Sequence, residues 1–382
     1  MKKAGQAMHP GHIRAGLELH SPVSFSDDRF TSLPLFAGIY MTESLRIPHE
    51  HLCQQLTQRL HHAGVSLQQA GVEARIMAEA DLQEVPSHGV RMLPGLLTAL
   101  DDGRVKASPE FSLERELGAI CVLNCDNGPG RYASHLAMEH ATQRAREFGV
   151  GICLAKKTTH WGRARAYASS AAQQGFIGIC TTNAIPTMAI AGAKKAVIGN
   201  NPLAIGIPGI TTNEPVVLDM AMSQAAVGKV GTWLREGKTL PGNWGIDSQG
   251  NPTNDASAIL AGAVLPMGEH KGAGLAVMLE LLTAALAGAA FTQQILAGDQ
   301  SGIDPDSSKI FIALDVNAFI EPGEFQQRVE FFIHYLKSEA APFNYPGERG
   351  WQVRQRNLRD GTPIHRDIIA QLEKVDVTLK NK

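Results

Sequence analysis

The 382-residue chain carries 35 lysines and arginines against 37 aspartates and glutamates, a formal net charge of −2, and only 19% charged residues. Without a basic stripe it is not built to hold phosphate backbones, which excludes a nucleic-acid partner, and no segment is apolar enough to span a bilayer. Its length is enough for one large core or two to three smaller ones.

Residues 1–44 show no sustained periodicity and read as an N-terminal extension. Lys2 and Lys3 are not followed by an apolar run, so secretion is not expected. The five cysteines, Cys53, Cys121, Cys125, Cys153 and Cys180, are odd in number and lack paired zinc spacing. Reduced, buried thiols in a cytoplasmic protein fit that pattern.

From Pro48 to about Leu82 two stretches place apolar residues at helix spacing, punctuated by Gly64 and Gly71. The run Ser87-His88-Gly89-Val90-Arg91 comes next. An imidazole between a hydroxyl and a glycine, just past an amphipathic helix, reads as an exposed proton donor, because histidine exchanges its proton near neutrality. Taken alone such a histidine is more often structural, so its weight depends on the company it keeps further along the chain. Pro94 to Asp102 continues as helix and Gly103 stops it.

From Ala119 onward strands and helices alternate, which argues for an α/β body. Strands are expected at 119–123, 151–155 and 176–180, with helices at 133–148 and 164–174 between them. Later strands are expected at 203–207, 216–219 and 310–314. Gly272 to Ala290 reads as a long, buried helix, and from about Gln326 the tail returns to helix, expected against the N-terminal helices.

Gly128-Pro129-Gly130-Arg131-Tyr132-Ala133 fits the G-x-G-x-x-A dinucleotide fingerprint between a strand and a helix. Pro129, however, removes a phosphate-binding N–H, and the next strand ends in Lys156-Lys157-Thr158 without the acid that a ribose hydroxyl requires. The lysines would suit a 2′-phosphate only if they lay near an adenosine. The plainer reading is a glycine-rich turn that caps a helix.

Thr158-Thr159-His160-Trp161-Gly162-Arg163 then places a second histidine at a strand end, where α/β proteins open their ligand crevice. Gly199-Asn200-Asn201-Pro202 is a turn, and Val217-Leu218-Asp219-Met220-Ala221 ends an apolar strand on a carboxylate. Asp219 would orient an imidazole, accept from a ribose hydroxyl, or merely cap a helix. Pro266-Met267-Gly268-Glu269-His270-Lys271-Gly272 enters the long apolar helix with a lysine where a helix N-terminus already favours an anion.

Together these segments resemble the type-2 malate/L-lactate dehydrogenase family, whose members include ureidoglycolate and sulfolactate dehydrogenases and diketogulonate and piperideine-carboxylate reductases. The likeness covers roughly residues 45–360 and rests on Ser87-His88-Gly89, Thr159 to Arg163, Asn201-Pro202-Leu203-Ala204, Leu218 to Ala221, His270-Lys271-Gly272 and Tyr345-Pro346-Gly347-Glu348, in order. The resemblance implies an α/β fold with a non-Rossmann NAD(P)-binding domain on a largely antiparallel mixed sheet, residues 119–324. A helical domain formed from both chain ends, 45–118 plus 325–382, is implied beside it. It further implies a homodimer or larger homo-oligomer, NAD or NADP as cofactor, and a small 2-hydroxy or 2-oxo acid as substrate.

By the same resemblance His88 is the general acid/base, with His160 its rival or partner and Asp219 in support, while Ser87 and Arg91 bind substrate. Val217, Leu218, Asp219, Met220, Ala221, His270, Lys271, Gly347, Glu348 and Arg349 would contact the cofactor. Many members carry an arginine four places after the motif histidine, suited to clamp a carboxylate. Here Met92 stands there and Arg91 one place earlier, which on a helix turns the side chain by about 100 degrees. The usual Gly-Thr-Asn-Pro turn reads Gly199-Asn200-Asn201-Pro202. Reduction of a cyclic imino carboxylate uses the same hydride geometry and is the alternative within the class. A metal-dependent hydrolase or lyase built on His88, His160, Asp219 and His270 lacks His-Glu-x-x-His or cysteine-pair spacing, so no metal ligand is assigned. A non-catalytic nucleotide-binding protein is the third reading.

Overall fold

The computed structural model describes residues 44–377 and 379, apart from 212, 213, 236 and 300. The expected extension, residues 1–44, lies outside the described residues except for Ser44.

A seven-stranded sheet forms the body. Its spatial order is Ser112–Leu117, Ile120–Asn124, Val150–Thr158, Ser307–Asp315, Phe176–Thr182, Leu203–Thr211 and Glu214–Met220. Neighbours run antiparallel except Ile120–Asn124 beside Val150–Thr158, so the sheet is mixed. The late strand Ser307–Asp315 lies between two early ones, Phe311 standing opposite Cys153 on one side and Cys180 on the other. Its unbroken Ile-Phe-Ile-Ala-Leu run is what a strand covered on both faces requires. Gly130–Phe148 and Arg165–Gln173 pack on the sheet through alanines, and the aromatic cluster Trp161, Tyr167 and Phe311 fills the layer between.

A second apolar cluster unites early and late helices: Leu52, Leu56 and Leu60 of His49–His62, Met77 of Leu67–Leu82, and Ile369 and Leu372 of Arg366–Glu373. Strand Ser44–Ile47 pairs antiparallel with Thr362–His365 and joins the two ends of the described chain. Gly71 lies inside a helix rather than between two. The tail divides its contacts. In Glu348–Asp360, Trp351 Nε1 donates to Pro215 O on the sheet side, whereas Asn357 Nδ2 donates to Leu82 O on the helical side.

The 272–290 stretch departs from expectation. It forms the helix His270–Glu280 and then a π-helical segment, Leu281–Ala285, and much of its apolar surface is exposed in the single chain rather than buried. All five cysteines are buried free thiols. Among the described residues no helix is long and apolar enough to cross a membrane.

Candidate active site

A cavity of about 540 Å³, its lining more apolar than polar, opens where the Ser87-His88 turn, the Thr158–Arg163 strand end and the Glu214–Met220 strand end converge. Helix Val227–Arg235 forms the facing wall with Gly228, Lys229 and Thr232.

His88 ends a 3-10 turn, Pro86–His88, fixed from below. Buried Asp81 accepts the Val90 N–H at 2.7 Å, and a Cβ on residue 89 would meet its carboxylate at 2.1 Å, so only glycine allows this packing. Burial pushes the Asp81 carboxyl up to about 8. The His88 and His160 rings stack with centroids 6.0 Å apart. Ser87 Oγ and His88 Nδ1 are hydrogen-bonded at 2.9 Å, which leaves Nε2 for the cavity. His160 Nδ1 accepts the Gly162 N–H at 3.2 Å, so the neutral ring carries its proton on Nε2 and presents a donor.

The charges around this pair come largely from arginines that the sequence reading did not single out. Arg131, 2% exposed, pairs with fully buried Glu73 at 3.2 Å, and Glu73 also accepts the Tyr132 N–H at 2.9 Å. Arg163 contacts Asp219 at 3.2 Å and donates to Gln83 Oε1 at 3.1 Å. Burial first, and then Arg163, push His88 down to about 4; Asp219 pulls it up, while Arg131 and Arg91 add to the lowering. Burial and the Arg131 charge likewise push His160 well below the usual imidazole range. Asp219 therefore acts on His88 through space, its direct partner being Arg163.

The expected residues do not all gather. Ser87, His88, His160, Asp219 and Ala221 line the cavity. Val217, Leu218 and Met220 belong to the same strand outside the lining, and the Val217 N–H is taken by Pro346 O at 2.8 Å. Arg91 and Met92 stand outside it as well. Met92 Sδ lies 3.6 Å from Arg131 Nη2, and Arg91 is half-buried between the charges of Arg235 and Asp81. His270 and Lys271 are exposed at the start of their helix, away from the lining. Gly347 caps the helix Glu348–Asp360, Glu348 is tied to Lys337 and the Tyr345 N–H, and Arg349 is exposed. Lys156 is paired with Glu114 at 2.5 Å. Unforeseen members of the lining are Lys229, Asp304 and Lys309. Among the described residues no group of histidine, cysteine and acidic side chains is placed to hold a metal ion.

The G-x-G-x-x-A turn serves this site without needing a nucleotide. Gly130 begins the helix Gly130–Phe148, and a Cβ there would lie 2.4 Å from the carbonyls of Thr159 and His160. The glycine lets the helix start against the loop that carries His160, and Arg131 follows, buried, its charge acting on both imidazoles.

Residues 47–373 match the family model described as malate/L-lactate dehydrogenase. The chain is 30% identical over 355 residues to the malate dehydrogenase of Pyrococcus horikoshii, covering 89% of this chain and 98% of that protein. It is 32% identical over 314 residues to the Δ1-pyrroline-2-carboxylate/Δ1-piperideine-2-carboxylate reductase of Pseudomonas aeruginosa, covering 79% and 93%. The solved sulfolactate dehydrogenase of Methanocaldococcus jannaschii superposes with a TM-score of 0.80 at 29% identity, over 88% of this chain and 98% of that one.

Proposed function

The chain belongs to the malate/L-lactate dehydrogenase family, oxidoreductases that act on 2-hydroxy acids, and from that premise we infer that it interconverts a 2-hydroxy acid and a 2-oxo acid with NAD or NADP. The observation that carries the reading is the stacked His88–His160 pair in one cavity, with Ser87 on His88 Nδ1.

The cavity suits a nicotinamide. Ala184, Ala221, Ala226 and Gly228 leave part of its wall bare of long side chains, and the buried Thr187 hydroxyl, also in the lining, has no hydrogen-bond partner. An amide-bearing ring would satisfy that hydroxyl, and the volume falls in the range of small-molecule sites, about 300–1,000 Å³. Asp219 and Ala221 would hold the ring, while His270 and Lys271, at a helix start outside the cavity, would meet a phosphate. When bound, the cofactor supplies or accepts the hydride at C2.

The protein's part is the proton and the orientation. In oxidation neutral His88 Nε2 takes the proton of the C2 hydroxyl, and in reduction the imidazolium returns it. His160, whose Nδ1 is committed to the Gly162 N–H, donates from Nε2 to the C2 oxygen and stays neutral. Residues 45–118 with 325–382 serve as the helical domain, and 119–324 as a cofactor domain of non-Rossmann type. The five reduced thiols suit a cytoplasmic enzyme. Similarity to an imino-carboxylate reductase favours reduction of a cyclic imine as the second reading.

The test monitors oxidation of NADH and NADPH with pyruvate, oxaloacetate, 2-oxoglutarate, a diketo sugar acid and a cyclic imino carboxylate. Turnover with at least one is expected, and His88→Ala should lower it about 10²–10⁴-fold with cofactor binding retained. Unchanged turnover in His88→Ala would exclude the assigned role.

A further inference from the structure

The cavity has in its lining two further buried charged groups that proton exchange at the histidines does not use. Lys309, 1% exposed, and Asp304, 8% exposed, both line it. Lys309 Nζ donates to Thr158 Oγ1 and, at 3.0 Å, to Ser307 Oγ. Those hydroxyls direct their own protons elsewhere: Thr158 Oγ1 donates to Ser307 O at 2.8 Å, and Ser307 Oγ to Thr158 O at 3.1 Å. They can therefore only accept from the ammonium, which has three N–H donors and keeps one for the cavity. Asp304 Oδ1 is buried with no hydrogen-bond partner.

Neither group is comfortable as it stands. Burial pushes the Asp304 carboxyl up to about 6 and the Lys309 ammonium down to about 7, and each charge partly sustains the other. An unmatched buried oxygen and an unmatched ammonium proton favour whatever ligand completes them. Of the other cations near the site, Arg163 is paired with Asp219 and Arg131 with Glu73, and Lys229 lies over the rings of Trp233 and Trp244; Lys309 lies over the Trp161 ring at 5.8 Å but has no acid within ion-pair distance among the described residues.

We propose that Lys309 and Asp304 form the substrate-recognition pair of the cavity. The ammonium takes the carboxylate of a 2-oxo or 2-hydroxy acid, and Asp304 Oδ1 takes a hydrogen-bond donor, a hydroxyl or amide N–H, on the same molecule. The pair selects for acids that carry such a donor and against a second carboxylate, which would face Asp304. This assignment rests on the reading of the site as one for 2-oxo acids and names the class it prefers.

Oxamate, a 2-oxo carboxylate analogue that is not reduced, is titrated calorimetrically into the full chain saturated with reduced cofactor. Lys309→Met should weaken oxamate binding at least about tenfold while cofactor affinity stays within about twofold. Lys309→Gln, which keeps a donor toward Thr158 and Ser307 but no charge, carries the same test if the Met variant does not fold. Asp304→Asn should lower the ratio of kcat/KM for hydroxypyruvate over pyruvate at least about fivefold and improve use of oxaloacetate. Wild-type oxamate affinity in both Lys309 variants, or an unchanged substrate ratio in Asp304→Asn, overturns the proposal. If the wild-type chain binds cofactor yet reduces no 2-oxo acid, the hydride-transfer reading fails, while the oxamate titration still decides whether Lys309 holds a carboxylate.

Discussion

His88 shows how far surroundings can move a single side chain. Burial and the nearby guanidinium groups bring it to about 4, so in the free enzyme at neutral pH the ring is a base waiting for a proton. Oxidation, which begins from the neutral ring, should be nearly independent of pH from 6 to 8, whereas kcat/KM for reduction should climb as pH falls over that range. Flat profiles in both directions would argue that another group moves the proton. The same shift bears on stability. The folded value lies below the ordinary 6.5, so the unfolded chain takes up the proton first, and stability present above 6.5 is lost as pH falls toward 4. The gap corresponds to about 3 kcal/mol at most. Asp81 works in the opposite sense: its raised value means stability lost as pH rises from 3.8 through about 8. Urea denaturation at pH 5 and pH 7.5 should therefore show a smaller acid loss in His88→Gln than in the wild type, both carrying the same Asp81 contribution.

At the scale of elements, the turn at 128–133 ties the sheet to the site, and two substitutions separate its parts. Gly130→Ala adds a methyl against the carbonyls of Thr159 and His160, and overpacking of this kind costs about 1–3 kcal/mol. Turnover should fall further than that loss explains, because the displaced loop carries His160. Arg131→Met leaves Glu73 buried without its partner, a change worth about 3–5 kcal/mol, and should let both histidines titrate nearer their ordinary value. Chemical denaturation and imidazole NMR titration measure the two effects; unmoved histidine titrations would show that the Arg131 charge does not reach the rings. What the sequence revealed here, and what it hid, has a physical basis. Apolar runs marked the strands, and His88, His160 and Asp219 were singled out ahead of the cavity they line together, because burial on two faces and motif spacing are local signals. Ser112–Leu117 escaped notice because all six of its residues are exposed and no face alternates. Ser307–Asp315 was readable as a strand but not as the partner of Val150–Thr158 and Phe176–Thr182, a pairing that no local pattern encodes. Lys309 was missed for the same reason: a lysine at the edge of an apolar run is ordinarily solvated, and only the fold turns it inward.

The whole molecule leaves one expectation to be met by a second chain. In His270–Glu280 and the π-helical segment after it, Leu275, Met278, Leu282 and Leu286 recur at helical spacing and are 41%, 56%, 44% and 61% exposed. The sequence read this stretch as buried, and its composition is that of a core helix. An apolar stripe of this length rarely faces water in a monomer. The family resemblance implies a homo-oligomer, and a second copy of the chain is the occupant we expect, as a stable interface of about 1,200–2,000 Å² must take in more than scattered side chains. Met278→Glu combined with Leu282→Glu places two carboxylates in the stripe and should convert a dimer to a monomer in sedimentation. Cavity residues His88 and Lys309 belong to other segments, whereas His270 and Lys271 begin the substituted helix, so retained cofactor binding would show that this helix start survives in the monomeric variant. Its Tm should lose the dependence on protein concentration that mass action gives an associating wild type. A wild-type chain that sediments as a monomer at micromolar concentration would instead mean that this stripe is covered by something other than its own copy.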